Sequence, residues 1–143
     1  MSIKAALLPL LVQVALTFAI GIWMAAARIA AGRAGKVHPR DIALREPNWP
    51  KHLMQLQNAF LNQFEMPVLF YVLTILALFT RTADLWFVVP AWIFVALRLA
   101  HAYVHVTSNR VPRRALFFLA GAAVLCVMWI IFAIRILSAI SSG

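Results

Sequence analysis

Charged residues are scarce in this sequence of 143 residues, and acidic residues are the scarcest among them. Only 12% of the residues are charged and four are Asp or Glu, while 64% are hydrophobic. An average soluble domain has about 25% charged and about 45–50% apolar residues. The composition therefore excludes an ordinary soluble domain and indicates a membrane protein.

Three other absences narrow the class of membrane protein. Cys126 is the single cysteine, so the chain has no disulfide framework, and its place inside an apolar run is typical of a small buried side chain. The apolar runs lack the alternation of polar and apolar residues that a β-barrel requires. No internal repeat is present, which argues against the transporter folds that are built from repeats.

Four apolar runs are each long enough to cross a hydrocarbon core of about 30 Å as a helix. They cover residues 5–27, 53–79, 85–107 and 115–134. A helix satisfies its own backbone hydrogen bonds in lipid. The sequence thus predicts an all-α integral membrane protein, a single domain over residues 1–143 that forms an antiparallel bundle of four transmembrane helices. The first run exceeds the roughly 7–15 residues of a signal-peptide core, so we predict a helix there too.

Basic residues are concentrated in two of the predicted loops, residues 28–52 and 108–114. Both loops lie on the same side of a four-span bundle, and cytoplasmic loops of membrane proteins are enriched in Lys and Arg. We therefore expect these loops in the cytoplasm and both termini on the non-cytoplasmic side. This topology accounts for most of the net charge of +9, so no nucleic-acid partner is predicted.

Polar side chains interrupt the second and third runs, although ionisable groups are costly in lipid. Helical spacing puts them on one face of each helix. The second helix contributes Gln55, Asn58, Asn62 and Glu65, and the third contributes Arg98, His101 and His105. Antiparallel packing brings Glu65 and Arg98 to one level, while Arg114 lies at the start of the fourth helix. The sequence thus predicts a polar cluster in the cytoplasmic half of the bundle.

Each of these residues also has a structural interpretation. Glu65 and Arg98 can form a buried ion pair that fixes the register of two helices, and Asn62 can serve as a hydrogen bond between helices. Two histidines on a membrane helix more often hydrogen-bond across the bundle than bind a metal, so no metal site is predicted. Arg114 can simply be a determinant of topology.

Two further features concern packing. Gln13, Thr17 and Gly21 recur at intervals of four on the first helix, which predicts a close packing face. Pro67 cannot donate a hydrogen bond to the carbonyl of Gln63, so a modest kink is expected beside Glu65.

The second and third helices carry a family resemblance. The pattern NxxE in LNQFEMP, followed by RLAHAYVHVTSNRVPRR, resembles the membrane-associated proteins in eicosanoid and glutathione metabolism, the MAPEG family, from about Asn58 to Arg114. The resemblance implies a homotrimer of four-helix subunits with glutathione bound between neighbouring subunits. It further implies a bacterial inner membrane, contact with membrane lipids and a lipophilic small-molecule substrate.

The resemblance also implies roles for individual residues. The family's arginine that stabilises the glutathione thiolate falls on Arg114, which is the predicted catalytic residue. The predicted ligand-binding residues are Asn62, Glu65, Arg98, His101, His105 and Arg33. Among these, Glu65 suits the γ-glutamyl ammonium, and Arg33 matches an arginine that holds a carboxylate of glutathione. The chain departs from the family pattern at His105, Ala115 and Phe118, where the family has tyrosine, serine and tyrosine.

The function implied is that of a glutathione-dependent transferase or peroxidase acting on lipophilic electrophiles. A nearby guanidinium favours the thiolate over the thiol, and the thiolate is the nucleophile. The alternative is a non-catalytic trimer that binds an anionic lipid or metabolite in the same polar cluster.

Overall fold

The computed structural model describes residues 2–44 and 46–141. Within these ranges it has five α-helices: α1 (Ile3–Arg33), α2 (Lys51–Leu61), α3 (Met66–Phe79), α4 (Leu85–Val106) and α5 (Val111–Ser141). Short 3-10 turns cover Pro39–Asp41 and Asn62–Phe64. No described residue lies in a strand. Because α2, the second turn and α3 follow one another along Lys51–Phe79, the helices form four spans.

The outer surface of the bundle is apolar. Large hydrophobic side chains point away from the core, with exposed fractions of 67% for Ile22, 85% for Phe79 and 65% for Leu116. A soluble monomer rarely exposes a continuous apolar surface of this kind, whereas a lipid bilayer solvates it. The protein is therefore a multi-pass membrane protein whose four spans pack as a helical bundle.

The core is formed mainly by α3, α4 and α5, with the beginning of α1 packed against them. The rings of Phe70 and Phe94 lie at its centre, with 4.8 Å between their centroids. Both side chains are fully buried. This contact packs α3 against α4.

The first helix extends beyond the predicted run of 5–27, so Arg28 and Arg33 lie in α1 and not in the loop. Arginine is a good helix former, and nothing stops the helix before Gly35. This glycine adopts a left-handed conformation with φ of 66°, and the N–H of Lys36 donates to the carbonyl of Ala31 at 3.1 Å. That pattern is a glycine C-cap. The loop predicted over 28–52 accordingly begins at Ala34.

The last helix begins at Val111, earlier than the predicted run of 115–134, so Arg114 lies in its first turn and not in the loop. Pro112 is the second residue of α5, where a missing N–H leaves no helical hydrogen bond unmade. Before it, Asn109 adopts φ of 46° and donates its N–H to the carbonyl of Val104 at 2.7 Å. The connection between α4 and α5 is therefore short. We call the end of the bundle with this connection and residues 34–50 the basic end.

The second span is broken at Glu65, where the sequence predicts only a modest kink. Residues Asn62–Phe64 form the 3-10 turn, and Glu65, with φ of −94° and ψ of −106°, lies outside both helices. Pro67 is then the second residue of a new helix, where its missing N–H is harmless. The break leaves backbone groups without helical partners in the middle of a span, and such groups need other partners in lipid.

The side of the break that faces α1 is closed by two buried glutamines. The side-chain amide of Gln13 donates to Oε1 of Gln63 at 2.9 Å, and Gln63 donates to the carbonyl of Ala59 at 3.0 Å. About two helical turns further along α1, Gly21 lies against the ring of Phe60. These contacts make the face that contains Gln13 and Gly21 a packing surface, and the opposite side of the break is open.

Candidate functional site

A cavity of about 530 Å³ opens on the side of the bundle next to the break. Its walls come from the broken second span, the second half of α4 and the start of α5. They are formed by Asn58, Leu61, Asn62, Glu65, His101, His105, Val111, Arg114, Ala115, Phe118 and Leu119. Five of the seven predicted site residues are among them. The fold thus brings together residues that are 52 positions apart in the sequence, from Asn62 to Arg114.

Glu65 is an exposed carboxylate in the middle of a membrane span. It lies midway along Lys51–Phe79, and its side chain is exposed on the wall of the cavity. One of its oxygens accepts a hydrogen bond from the side-chain amide of Asn62 at 2.8 Å. A charge at this depth is costly when it faces lipid, and residues of this kind usually face a bundle interior or a watery cavity.

Arg98 lies behind the cavity wall and not on it. Its side chain is 1% exposed, and Nη2 donates to the backbone carbonyl of Asn62 at 3.1 Å and also to Oδ1 of the same residue. These bonds join α4 to the break in the second span. The expected ion pair with Glu65 is not formed. The only ion pair among the described residues joins Arg135 to Asp84.

Asn62 is the reason for this difference. The break moves Asn62 between Glu65 and Arg98, so its amide nitrogen donates to the carboxylate while its oxygen accepts from the guanidinium. An amide is suited to this position because it carries both a donor and an acceptor. The two charges are thus linked through Asn62, and the second oxygen of Glu65 remains available to a ligand.

The two histidines of α4 both contact Arg114 of α5. Nδ1 of His101 lies 2.9 Å from the backbone carbonyl oxygen of Arg114, and Nε2 of His105 lies 3.2 Å from its Nη1. Both rings are buried. These contacts use one nitrogen of each ring. Among the described residues there is no group of three side chains arranged to hold a metal ion.

The lining of the cavity is partly charged and partly apolar. Glu65 of the second span and Arg114 of α5 supply charges of opposite sign. Arg114 also lies in the first turn of α5, where the helix dipole favours an anion. The apolar part of the lining comprises Leu61, Val111, Ala115, Phe118 and Leu119. Such a cavity can hold a zwitterionic or anionic molecule against an apolar one.

Arg33 is not part of this cavity. It lies in the last turn of α1, where its side chain is exposed at the basic end. Asn109 was not among the predicted site residues, but its Oδ1 accepts a hydrogen bond from Nη1 of Arg114 at 2.7 Å. Its signal is weak, because an asparagine in a turn is usually there for its tolerance of left-handed backbone.

Comparison with known proteins gives one match. The model of the MAPEG family matches residues 6–134 of the chain. No curated protein and no solved structure matches it. The matched segment includes most of all four spans and every residue that lines the cavity.

Proposed function

The chain belongs to the MAPEG family, and on that premise we propose that it is a glutathione-dependent transferase or peroxidase acting on lipophilic electrophiles. The observation that carries the proposal is the cavity whose lining combines the opposite charges of Glu65 and Arg114 with apolar side chains. Glutathione carries an ammonium group, carboxylates and a thiol. The cavity offers one partner for its cation and one for an anion.

In this proposal Glu65 binds the γ-glutamyl ammonium and Arg114 stabilises the thiolate. Asn62 and Arg98 support Glu65 through the hydrogen bonds described above. The guanidinium of Arg114 favours the charged form of the thiol, and the start of α5 adds to the same field. The thiol proton leaves to water, and the thiolate is then the attacking group.

Two reactions are compatible with a bound thiolate. In a transfer, a carbon–sulfur bond forms and the leaving group departs with its bonding electrons. In a peroxidase reaction, two glutathione molecules supply two electrons that break the oxygen–oxygen bond of a hydroperoxide, giving a disulfide, an alcohol and water. The apolar lining residues, Phe118 among them, support an electrophile that enters from the bilayer.

We also propose that the protein is a homotrimer with the cavity between neighbouring subunits. The exposed carboxylate of Glu65 in mid-span supports this, because a second copy would shield it from lipid. Arg33 would then reach the ligand of a neighbouring subunit from the basic end. The assembly is tested by measuring the mass of the purified protein in a detergent whose bound mass is known and can be subtracted. The mass of a monomer would contradict the proposed trimer.

For the topology we propose that the basic end faces the cytoplasm of a bacterium and that both termini face away from it across the inner membrane. Lysine and arginine at the basic end support this orientation. A reporter that is active only in the periplasm, fused after the last residue, should therefore be active. If this reporter were inactive, and a reporter that is active only in the cytoplasm were active at the same position, the protein would have the opposite orientation.

The activity is tested with purified protein, glutathione, and either an activated aryl halide or a lipid hydroperoxide. We expect turnover, and we expect Arg114→Ala to lower kcat by about a hundredfold, as for the loss of a group that stabilises charge at the reacting atom. Arg113→Ala is the matched control, because Arg113 is exposed and does not line the cavity. No turnover of either electrophile, or equal activity of the two variants, would contradict the proposal.

The apolar lining residues favour a second candidate, a trimer that binds an anionic lipid without catalysis. Ala115 and Phe118 present no hydroxyl group to the cavity, so an acyl chain fits against them as well as an electrophile does. If Arg114→Ala abolished thermal stabilisation by an anionic phospholipid and the wild type had no thiol activity, this candidate would replace the first.

A further inference from the structure

Two histidines of α4 hold Arg114 at two separate points. His101 contacts its backbone carbonyl and His105 contacts its guanidinium, at 2.9 and 3.2 Å. The rings are one helical turn apart and 2% and 4% exposed, with 5.5 Å between their centroids. The main chain and the side chain of Arg114 are therefore both positioned by α4, across the interface with α5.

The partners determine which ring nitrogens carry protons. A carbonyl oxygen only accepts hydrogen bonds, so Nδ1 of His101 must donate. A guanidinium only donates, so Nε2 of His105 must accept and must be unprotonated. His105 is therefore a neutral imidazole with its proton on Nδ1. An imidazolium has no acceptor and would break this contact.

Asn109 provides a second hydrogen-bond acceptor for the guanidinium of Arg114. Its Oδ1 accepts from Nη1 of Arg114 at 2.7 Å, and its left-handed backbone sets the turn that brings it there. The two N–H bonds of Nη1 thus have two acceptors, His105 and Asn109. The N–H bonds of Nη2 and Nε have no acceptor among the described residues, and Arg114 lines the cavity.

We propose that His105 is a positioning residue for Arg114. As a neutral acceptor it fixes Nη1, so that the remaining edge of the guanidinium is free for an anion in the cavity. This inference rests on the proposed function in one respect: the anion is taken to be the glutathione thiolate. The required chemistry at position 105 is a hydrogen-bond acceptor, and a positive charge there is excluded.

The kinetic test compares two replacements of His105 in the full-length protein. Gln keeps an acceptor and Leu removes it, while His52→Gln is the control because His52 is exposed and outside the cavity. We expect His105→Leu to lower kcat with glutathione by tenfold or more, with KM for glutathione within about threefold. His105→Gln should keep kcat within about threefold. Equal losses in the two variants at unchanged thermal stability would overturn the proposal.

A second measurement needs no activity. Nitrogen-15 spectra of protein labelled at histidine, with His105→Gln to assign the signals, report the protonation of each ring nitrogen. At pH 7.5 we expect an unprotonated Nε2 on His105 that changes its chemical shift in Arg114→Ala. An Nε2–H form or an imidazolium would overturn the proposal. If the protein has no thiol activity, the proposed function fails and these spectra alone decide the role of His105.

Discussion

The side-chain amide of Asn62 donates a hydrogen bond to the carboxylate of Glu65 at 2.8 Å. Its oxygen at the same time accepts from Arg98. The carboxylate of the second span and the buried guanidinium of α4 are therefore linked through one neutral side chain. Much of the stability and the function of the polar cluster should depend on that amide.

Replacing Asn62 with Ala should destabilise the protein by about 2 kcal/mol, since a buried guanidinium loses an acceptor. The free energy of unfolding is measured by reversible denaturant or thermal unfolding in detergent. Asn58→Ala is the control, because Asn58 is exposed on the same face of the second span, and it should change stability by less than about 0.5 kcal/mol. Equal effects of the two variants would show that the contact with Arg98 contributes nothing.

Replacing Glu65 with Gln should weaken glutathione binding about tenfold, because a charged acceptor for the ammonium becomes neutral. Stability should be unchanged or higher, since a carboxylate is removed from the middle of a span. Titration calorimetry with glutathione gives the affinity. Glu46→Gln, in the loop at the basic end, should bind as the wild type does. Unaltered affinity in Glu65→Gln would assign the ammonium to another residue.

The buried pair of Gln13 and Gln63 should contribute a coupling free energy of about 0.6 kcal/mol and at most about 1.7 kcal/mol. The test is a double-mutant cycle with Leu at each position, followed by thermal unfolding. Each single variant leaves one amide without its partner. The loss of stability in the double variant should therefore be smaller than the sum of the losses in the two single variants. Additive effects would mean that the hydrogen bond has no net value in this environment.

Gly21→Ala should destabilise the contact between α1 and α2 by about 1 kcal/mol. The added Cβ would lie 2.9 Å from the ring of Phe60, so that ring must move and loosen its edge contact with Phe64, whose centroid is 5.1 Å away. Gly32→Ala is the control within the same helix, where nothing lies within 4 Å of the new atom. It should stabilise the helix by up to about 1 kcal/mol. The same sign for both variants would contradict the packing argument.

Asp84 should make stability depend on pH at the end of the bundle opposite to the basic end. Burial alone would raise the pKa of Asp84, but the hydrogen bond and the charge of Arg135, with the N–H of Phe87, outweigh it and lower the pKa. A carboxylate with a lowered pKa stabilises the folded state above its unfolded pKa of about 3.9, and this contribution disappears as the pH falls through the folded pKa.

Asp84→Asn should therefore lower the unfolding temperature at pH 7, and the difference from the wild type should shrink as the pH falls below about 3.9. The difference at pH 7 should be no more than about 1 kcal/mol, because both side chains are partly exposed and solvent screens such pairs. Asp41→Asn, at an exposed position near the basic end, is the control and should leave the unfolding temperature at pH 7 unchanged. A deficit that persists at low pH would assign the effect of Asp84 to something other than its charge.

The amino-acid sequence by itself determined that a lipid bilayer surrounds the protein and that the chain crosses it four times. Apolar runs of about 20 residues have only one stable form in a bilayer, and the low content of charge leaves no alternative class of protein. Helical spacing also placed Asn62 and Glu65 on one face, and His101 and His105 on another, because a period of 3.6 residues is a property of the backbone. The family resemblance was recognisable from those same residues.

Only the tertiary structure decided how these faces meet. The sequence placed Glu65 opposite Arg98, but Pro67 breaks the span, and the 3-10 turn moves Asn62 between the two charges. The hydrogen bonds from Arg114 to His105 and Asn109 depend on the turn between α4 and α5 and on the early start of α5. Residue spacing fixes which side chains share a helix face, whereas contacts between helices depend on breaks and turns whose geometry is set by packing.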